Sequence, residues 1–316
     1  MAAEPIDAVY TWVDGAWPGY DDLLRQHGRD RHDLNPNRYR DNLGILRYSL
    51  RSLARYAPWL RRVFVVSCRP QCPSWLDTHA VRLVHHDAFM PAAALPTFNS
   101  FAIVSHVHRI EGLSSRFLYI EDDRLFGARV TRDDFFDPRG RPRIALKART
   151  TMKPGRRADE RLSPWNRALA ESNHLLDARY GAKGRGAVSP GPLAVHIASW
   201  QAMIDQWPEA FAQTTASRFR STGNVAPEHL YPHFLLEEGF GVRVPWMTAC
   251  RQTAYHPLNN VVAFQRASLA RLGWQRPKFI CMNDNFDERP NPRAVALARR
   301  ALDGLFSQPS PFEVRR

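Results

Sequence analysis

The feature that most constrains the fold is an apolar run from Phe117 to Ile120 that ends on three consecutive carboxylates, Glu121, Asp122 and Asp123. An uninterrupted run of aromatic and aliphatic residues is typical of a strand that is buried on both faces inside a parallel sheet. In open α/β sheets, ligands bind in the crevice beyond the carboxyl ends of the strands. The three acids therefore occupy the position in which such a fold holds a ligand.

Three adjacent negative charges repel one another unless a cation lies among them. Mg²⁺ is commonly bound by one or two carboxylates together with substrate phosphates. The sequence therefore predicts a site for Mg²⁺ or Mn²⁺ at this strand end. A solvated acidic turn is the alternative that the residues alone leave open.

Strands alternate with helices over the first half of the chain. Apolar and β-branched runs predict strands over residues 6–13, 62–67 and 81–85, in addition to the strand described above. Apolar residues recur at helical spacing from Leu43 to Tyr56, and a second helix is expected over residues 100–110. This alternation predicts an α/β fold with a mostly parallel sheet and right-handed crossovers.

The character of the sequence changes after Phe136. We expect an α/β core over residues 1–136 and an exposed loop or flap over residues 137–160, which are rich in proline, glycine and arginine. Residues 161–316 are expected to form a helical part that completes the same domain. Its helical patterns lie at about 165–180, 199–213, 227–238 and 292–306.

The chain is strongly basic, with a formal net charge of +13. All but four of its 44 basic residues are arginine, and they are spread along the chain without a nucleic-acid-binding motif. We therefore expect no nucleic-acid partner. Phosphate-bearing substrates, or peripheral contact with an anionic membrane surface, explain the charge at least as well. The first residues lack an export signal, so a cytoplasmic location is expected.

Four separated blocks stand out by their residues, order and spacing. They comprise Asp7–Gly15; a long block from Arg38 through Leu46–Ser52 and Leu95–Ser100 to Asp123; His196 with Trp207–Phe211 and Arg218–Ser221; and Lys278–Asn285. In this order they resemble the four conserved regions of the Stealth family of sugar-1-phosphate transferases. That family includes bacterial capsule polymerases and the N-acetylglucosamine-1-phosphotransferase that tags lysosomal enzymes.

The resemblance implies a reaction. A sugar-1-phosphate would pass from a nucleotide-sugar donor, such as UDP-N-acetylglucosamine, to an acceptor hydroxyl on a glycan, a glycolipid or a small metabolite. The nucleoside monophosphate would leave, and the bond at the anomeric carbon would stay intact. The resemblance also implies a GT-A-like, Rossmann-type fold, in agreement with the alternation of strands and helices.

The resemblance further implies roles for individual residues. Asp122, Asp123 and Asp284 are the expected metal ligands, and Asp123 takes the place of the family's key aspartate. His196 is the expected general base or phosphate ligand, because imidazole accepts a proton near neutral pH. Arg220 matches the arginine at the transferring phosphate, a role that suits a permanently charged bidentate donor. The expected substrate-binding residues are Asp7, Thr11, Trp12 (for which core packing is the alternative), Arg38, Arg40, Arg47, Asn99 and Ser100.

The chain departs from the family pattern at two positions. Where the family has Ala-Ile-Glu with a catalytic glutamate, this chain has Ala102-Ile103-Val104, and Glu121 replaces the asparagine that precedes the paired aspartates. Our hypothesis is that Glu121 supplies the missing carboxylate from a neighbouring point. Two alternatives remain at this stage: a glycosyltransferase that releases UDP, and a protein that binds nucleotide sugar without turnover.

Overall fold

The computed structural model describes residues 4–28, 34, 39, 41, 43–150, 161–286 and 289–314, and of residues 149 and 150 it describes the backbone. The strands are β1 Ile6–Thr11, β2 Val63–Ser67, β3 Arg82–His85, β4 Arg116–Glu121, β5 Arg124–Phe126, β6 Arg143–Ile144, β7 Leu146–Thr150, β8 Gly186–Val188, β9 Leu193–His196, β10 Val242–Arg243, β11 Thr253–Tyr255 and β12 Phe279–Cys281. The helices are α1 Tyr20–His27, α2 Ile45–Tyr56, α3 Ser100–His106, α4 Pro164–Tyr180, α5 Ile197–Gln206, α6 Pro208–Ala216, α7 Pro227–Glu237, α8 Trp246–Gln252, α9 Val262–Gln275 and α10 Pro292–Leu305.

A five-stranded sheet with the order β3-β2-β1-β4-β9 forms the centre of the fold. The first four of these strands are parallel, so that Thr11 at the end of β1 lies beside Val66 of β2 and Glu121 of β4. The last strand, β9, runs antiparallel to β4 and places His196 beside Arg116. The predicted α/β fold with a mostly parallel sheet is therefore confirmed.

The two faces of the sheet pack against different helices, because successive strand residues point to opposite faces. Val9 and Tyr119 face a core that includes residues of α3, α5 and α7. Tyr10 and Ile120 face the other core, to which α2 contributes Leu46. Helices thus cover both faces, which explains why β1, β2 and β4 are almost continuously apolar. Within the described ranges, no helix combines the length and apolarity that crossing a bilayer requires.

The second half of the chain contains more strand than the sequence predicted. Part of the expected 137–160 loop forms β6 and β7, which pair with β10 and β8, while residues 151–160 lie outside the described residues. The helix expected over 199–213 is two helices, because Pro208 begins α6 and has no N–H group to continue α5. The C-terminal part also supplies β9 to the central sheet. Residues 4–136 and 161–314 are therefore joined through one sheet.

Asp7 stabilises the amino end of the sheet. Its fully buried carboxylate accepts hydrogen bonds from Arg61 Nε at 2.8 Å, from Arg61 Nη2 at 2.6 Å and from the Ser114 backbone N–H at 2.8 Å. Burial raises the pKa of Asp7, but these donors outweigh burial and leave that pKa lowered. The residue lies four positions before Thr11, about 13 Å from the carboxyl end of β1. The expectation that Asp7 binds substrate is therefore wrong, because its carboxylate is used within the fold.

We expect Asp7→Asn to lower the free energy of unfolding by about 2 to 3 kcal/mol, since it breaks the ion pair with Arg61. This loss is smaller than that for a fully buried ion pair, because the Arg61 side chain is 35% exposed. The matched control is Asp21→Asn, since Asp21 forms an exposed pair with Arg25 at 2.8 Å and should change stability by less than about 0.5 kcal/mol. Urea unfolding at pH 7 measures both.

The lowered pKa also fixes the direction of the pH dependence. The contribution of Asp7 is complete above its unfolded pKa and is lost as the pH falls through its lower folded pKa. The difference between wild type and Asp7→Asn should therefore shrink in acid. Equal losses in the Asp7 and Asp21 variants would contradict the assignment.

Candidate active site

A cavity of about 320 Å³ opens at the carboxyl ends of β1 and β4. Thr11 at the end of β1 and Glu121 at the end of β4 line it, together with Asp122 and Asp123 in the turn between β4 and β5. The carboxyl ends of neighbouring parallel strands meet at one edge of the sheet, which brings these side chains together. The acidic strand end thus lies in a cavity, where an α/β fold binds its ligand.

Negative charge is concentrated on this side of the cavity. Asp41 joins Glu121, Asp122 and Asp123 in its lining, and Arg124 is ion-paired with Glu121 and, at 3.0 Å from its Nε, with Asp123 Oδ1. Burial raises the pKa of Asp122 well above its ordinary value, and the charges of Asp123, Asp41 and Glu121 raise it further. Burial also raises the pKa of Asp123, although Arg124 opposes the shift. Arg124 alone therefore does not compensate the carboxylates.

The arrangement of the aspartates fits a metal ion that is held jointly with a substrate. Asp122 and Asp123 are adjacent, and Asp284 lies on the wall of the same cavity, where its Oδ1 accepts a hydrogen bond from the Phe286 N–H at 3.0 Å. Among the residues that the structure describes, no three His, Cys, Asp or Glu side chains are grouped so that they could hold a metal ion by themselves. Asp122, Asp123 and Asp284 line the same cavity, and their role as three metal ligands stays a prediction. The adjacent pair suits Mg²⁺ that is also bound by phosphates.

Arg220 brings positive charge to the same cavity. Its Nη2 donates a hydrogen bond to Ser100 Oγ at 2.6 Å. Its Cζ lies 4.6 Å from the ring centre of Phe101 and 5.5 Å from that of Trp165. These contacts fix the guanidinium, because stacking restricts its plane and Ser100 restricts its rotation. The structure therefore brings together Arg220 and Ser100, both of which the family resemblance suggested as residues that bind substrate.

Aromatic rings form a further part of the cavity wall. Trp12, Tyr20, Tyr39 and Phe98 line it, and the Phe98 ring stacks on Phe219 with centroids 4.8 Å apart. Flat apolar walls with a few polar groups are typical of small-molecule sites. This wall can accept the face of a nucleobase or a sugar ring.

Thr11 and Trp12 line the cavity, and their role in binding substrate stays a prediction. The Thr11 hydroxyl is hydrogen-bonded to the Tyr119 hydroxyl at 3.0 Å, and Trp12 Nε1 donates to Asp41 Oδ2 at 3.3 Å. Trp12 is also largely buried, so that it packs in the core and lines the cavity at once.

His196 lies at the other end of the sheet. It pairs with Arg116, five positions before Glu121 on β4, which is about 16 Å along the strand. Burial, followed by the charge of Arg116, lowers the pKa of His196. The expectation that His196 is the general base or a phosphate ligand is therefore wrong, because β9 runs antiparallel and carries its last residue away from the cavity.

Asn99 has a structural role rather than the predicted contact with substrate. It is fully buried, and its Oδ1 accepts from the Phe101 N–H at 3.2 Å, so that it caps α3. Its Nδ2 donates to Asn224 Oδ1 at 2.9 Å and to the Ser217 carbonyl at 3.0 Å. All of its hydrogen-bonding groups are thus used to position α3, at whose first residue Ser100 faces the cavity.

The arginines predicted to bind the diphosphate are not among the cavity residues that the structure describes. Arg47 projects from α2 and donates from Nε to Glu313 Oε2 at 2.5 Å. Burial raises the pKa of Glu313, but Arg51 and Arg47 lower it to a net value of about 2. Arg47 therefore anchors the C-terminal segment, and its predicted role is wrong. Arg38 and Arg40 lie outside the described residues.

Sequence reasoning missed two charged residues of this region. Arg124 directly follows the acids, and this proximity was a usable signal for a counter-charge. Glu228, in the first turn of α7, interacts with Glu121 and Arg220 across the fold. A single glutamate on an ordinary helix offers no local signal of such a position.

Models of three conserved regions of Stealth proteins match the chain, with region 2 over residues 38–144, region 3 over residues 191–237 and region 4 over residues 270–316. The chain belongs to the Stealth family. The matched regions contain the acidic strand end, Arg220 and Asp284, which the fold collects around one cavity.

Curated relatives of this Stealth protein are named phosphotransferases. An exopolysaccharide phosphotransferase of Streptomyces coelicolor is 34% identical over 98% of this chain and 52% of its own length. Capsular polysaccharide phosphotransferase SacB of Neisseria meningitidis serogroup A is 29% identical over 98% of this chain and 57% of its own length. The chain thus spans about half the length of these relatives.

Solved structures with a similar course of the chain are glycosyltransferases. Galactosyltransferase LgtC matches with a TM-score of 0.44 at 11% identity, over 97% of this chain and 98% of its own. Mouse xyloside xylosyltransferase 1 matches with a TM-score of 0.41 at 11% identity, over 89% of this chain and 98% of its own.

We expect Asp122→Asn to raise the free energy of unfolding at pH 7 in the presence of a chelator by about 1 kcal/mol or more, because it removes a charge that burial and three neighbouring carboxylates disfavour. A carboxyl whose folded pKa is raised destabilises the fold as the pH rises above its unfolded pKa. Wild type should therefore lose stability more steeply than the variant as the pH rises above the unfolded pKa of an aspartate, about 3.9. Urea unfolding measures this, with exposed Asp133→Asn as the control. A variant less stable than wild type would refute the expectation.

Proposed function

We propose that the protein transfers a sugar-1-phosphate from a nucleotide-diphosphate sugar to a hydroxyl of a glycan acceptor and releases the nucleoside monophosphate. The observation that carries this proposal is a single cavity that holds the fixed guanidinium of Arg220 together with the adjacent carboxylates of Asp122 and Asp123. Phosphoryl transfer needs both kinds of group, since its main demand is to position and neutralise phosphate oxygens. The names of the curated relatives support the same reaction class.

Mg²⁺ or Mn²⁺ is the cofactor we propose, with Asp122 and Asp123 as its protein ligands. When bound, the ion would screen the charge of the diphosphate. The raised pKa of Asp122 supports this assignment, because it reflects an excess of negative charge that a cation would relieve. Asp284 lines the same cavity and would bind the ion or one of its water ligands.

Arg220 would bind the phosphate that is transferred. Because Ser100, Phe101 and Trp165 already fix its guanidinium, little ordering remains to be done when the phosphate arrives. The aromatic wall around Trp12 and Phe98 would receive the base or the sugar. UDP-N-acetylglucosamine as donor, a cytoplasmic location and peripheral membrane contact stay predictions of the sequence.

The nucleotide product distinguishes this reaction from its alternatives. We expect UMP when the protein is incubated with UDP-N-acetylglucosamine, Mg²⁺ and an oligosaccharide acceptor, because attack at the phosphorus next to the sugar leaves the nucleoside monophosphate. Release of UDP would indicate glycosyl transfer, and tight binding without product would indicate a protein without turnover. If no nucleoside monophosphate appears with any nucleotide sugar tested, the proposal is wrong.

Arg220→Lys and His196→Gln test which of these two residues acts at the cavity. Both residues lie in conserved region 3. We expect Arg220→Lys to lower kcat/KM by about 100-fold or more, since an ammonium cannot keep the bidentate, stacked position of the guanidinium. His196→Gln should stay within about twofold of wild type, because the imidazole lies at the opposite end of β4. Initial rates of nucleotide release measure both variants after thermal melts have verified folding. A loss in His196→Gln as large as that in Arg220→Lys would contradict the placement of the cavity.

A further inference from the structure

Strand β12 holds Asp123 through both the backbone and the side chain of that residue. The Met282 backbone N–H, directly after β12, donates a hydrogen bond to the Asp123 carbonyl oxygen at 2.9 Å. Cys281, the last residue of β12, donates a hydrogen bond from Sγ to Asp123 Oδ2 at 3.4 Å. Both contacts follow from the antiparallel pairing of β12 with β5, which sets Cys281 beside Arg124, the residue after Asp123. A strand outside the central sheet therefore holds this carboxylate at the edge of the cavity.

The two oxygens of the Asp123 carboxylate are in different situations. Oδ2 accepts the hydrogen bond from Cys281. Oδ1 is buried and accepts no hydrogen bond within the described part of the chain, although Arg124 Nε lies 3.0 Å from it as an ion-pair partner. A buried oxygen that accepts no hydrogen bond destabilises a protein. Stability therefore does not explain the arrangement, and Oδ1 retains the capacity to bind an incoming group.

Cys281 lies behind the wall of the cavity. Its side chain is buried, and among the described residues Asp123, Met282 and Asn283 line the cavity whereas Cys281 does not. Asn283 also interacts with the Asp123 carboxylate, but less strongly than Cys281 does. The thiol can therefore influence a group bound in the cavity only through Asp123.

The thiol is better suited to be a hydrogen-bond donor than a metal ligand. A cysteine binds a metal as the thiolate, and an unperturbed thiol, with a pKa of about 8.5, is protonated at pH 7. Mg²⁺ and Mn²⁺ also prefer oxygen ligands. A purely apolar role is the alternative, because Phe279 and Ile280 of the same strand are buried in apolar clusters and a buried cysteine behaves as a small hydrophobe. An apolar role does not account for the hydrogen bond to Oδ2.

We propose that Cys281 is a positioning residue for the divalent cation of the transfer reaction. This inference rests on the proposed function, and within it on the cation that Asp122 and Asp123 would bind. The Cys281 thiol holds Oδ2, so that Oδ1 is the oxygen of Asp123 that binds the ion. Without this hydrogen bond the carboxylate turns more freely about its terminal torsion, for which aspartate has only a broad preference. Binding the ion would then first have to restrict that rotation, which weakens the affinity.

Mn²⁺ titrations of the metal-free protein test this inference without any turnover. We expect Cys281→Val to raise the Kd for Mn²⁺ by about 10-fold or more, because losing the partner of a metal ligand weakens metal binding by about 10- to 100-fold. Valine is close to cysteine in size and suits a strand. Cys281→Ala, which also lacks a donor and adds no branched carbon, should weaken binding to a similar extent. Cys281→Ser should stay within about threefold of wild type, because its hydroxyl restores the donor.

Electron paramagnetic resonance of free Mn²⁺ measures these dissociation constants, after thermal melts have verified folding. The matched control is Cys250→Val, which makes the same substitution at an exposed free cysteine on α8 and should leave the Kd unchanged. If the variants without a donor bind Mn²⁺ as tightly as wild type, the inference is wrong. It is also wrong if Cys281→Ser binds as weakly as Cys281→Val, since packing rather than the hydrogen bond would then be responsible.

The nucleotide product separates this inference from the proposed function. If wild type releases nucleoside monophosphate and Cys281→Val binds Mn²⁺ normally, the role of Cys281 is refuted and the proposed function stands. If wild type releases nucleoside diphosphate while Mn²⁺ binding is weakened in Cys281→Val and restored in Cys281→Ser, the proposed reaction is wrong and the role of Cys281 stands. A wild type that binds no Mn²⁺ overturns the inference together with the proposed cofactor.

Discussion

The structure of the site depends on electrostatic repulsion that the fold does not allow to relax. Glu121 ends a strand that is buried on both faces, and Asp122 and Asp123 follow it directly, so the backbone keeps the three carboxylates close together. Arg124, the first residue of β5, relieves part of the repulsion. Because Arg124 does not compensate all of these negative charges, the carboxylates that line the cavity attract a further cation. In a partly desolvated environment such an attraction is stronger than the same charges would exert in water.

Around this acidic strand end, the other half of the site is built with the opposite charge and on different elements. Arg220 is held by contacts to α3 and α4. A polyphosphate ester placed between the two halves would meet the guanidinium directly and the carboxylates through a cation.

The sequence predicted the sheet well and the site only in part. Buried strands reveal themselves as apolar runs, and the end of such a run gives the location of Asp122 and Asp123. Side-chain partners are set by tertiary contacts instead. Asp7 is an aspartate like the proposed metal ligands, yet its carboxylate is hydrogen-bonded to Arg61. Asn99 caps a helix in the same way that it could have bound a substrate, through its side-chain amide. His196 was misplaced because the direction of a four-residue strand is not encoded in its own residues, and Glu228 gave no signal because burial is not visible in a lone glutamate.

The antiparallel position of β9 affects how the chain folds as it is synthesised. β4 is the third parallel strand of the sheet to be made after β1, and one of its edges has no partner until Leu193–His196 has emerged. An apolar strand with an open edge is a template for pairing with other chains. The nascent chain therefore has one edge of β4 unpaired over the whole stretch from Glu121 to Leu193. Slow translation across that stretch would prolong exposure to aggregation, and a chaperone that covers sheet edges would act there first.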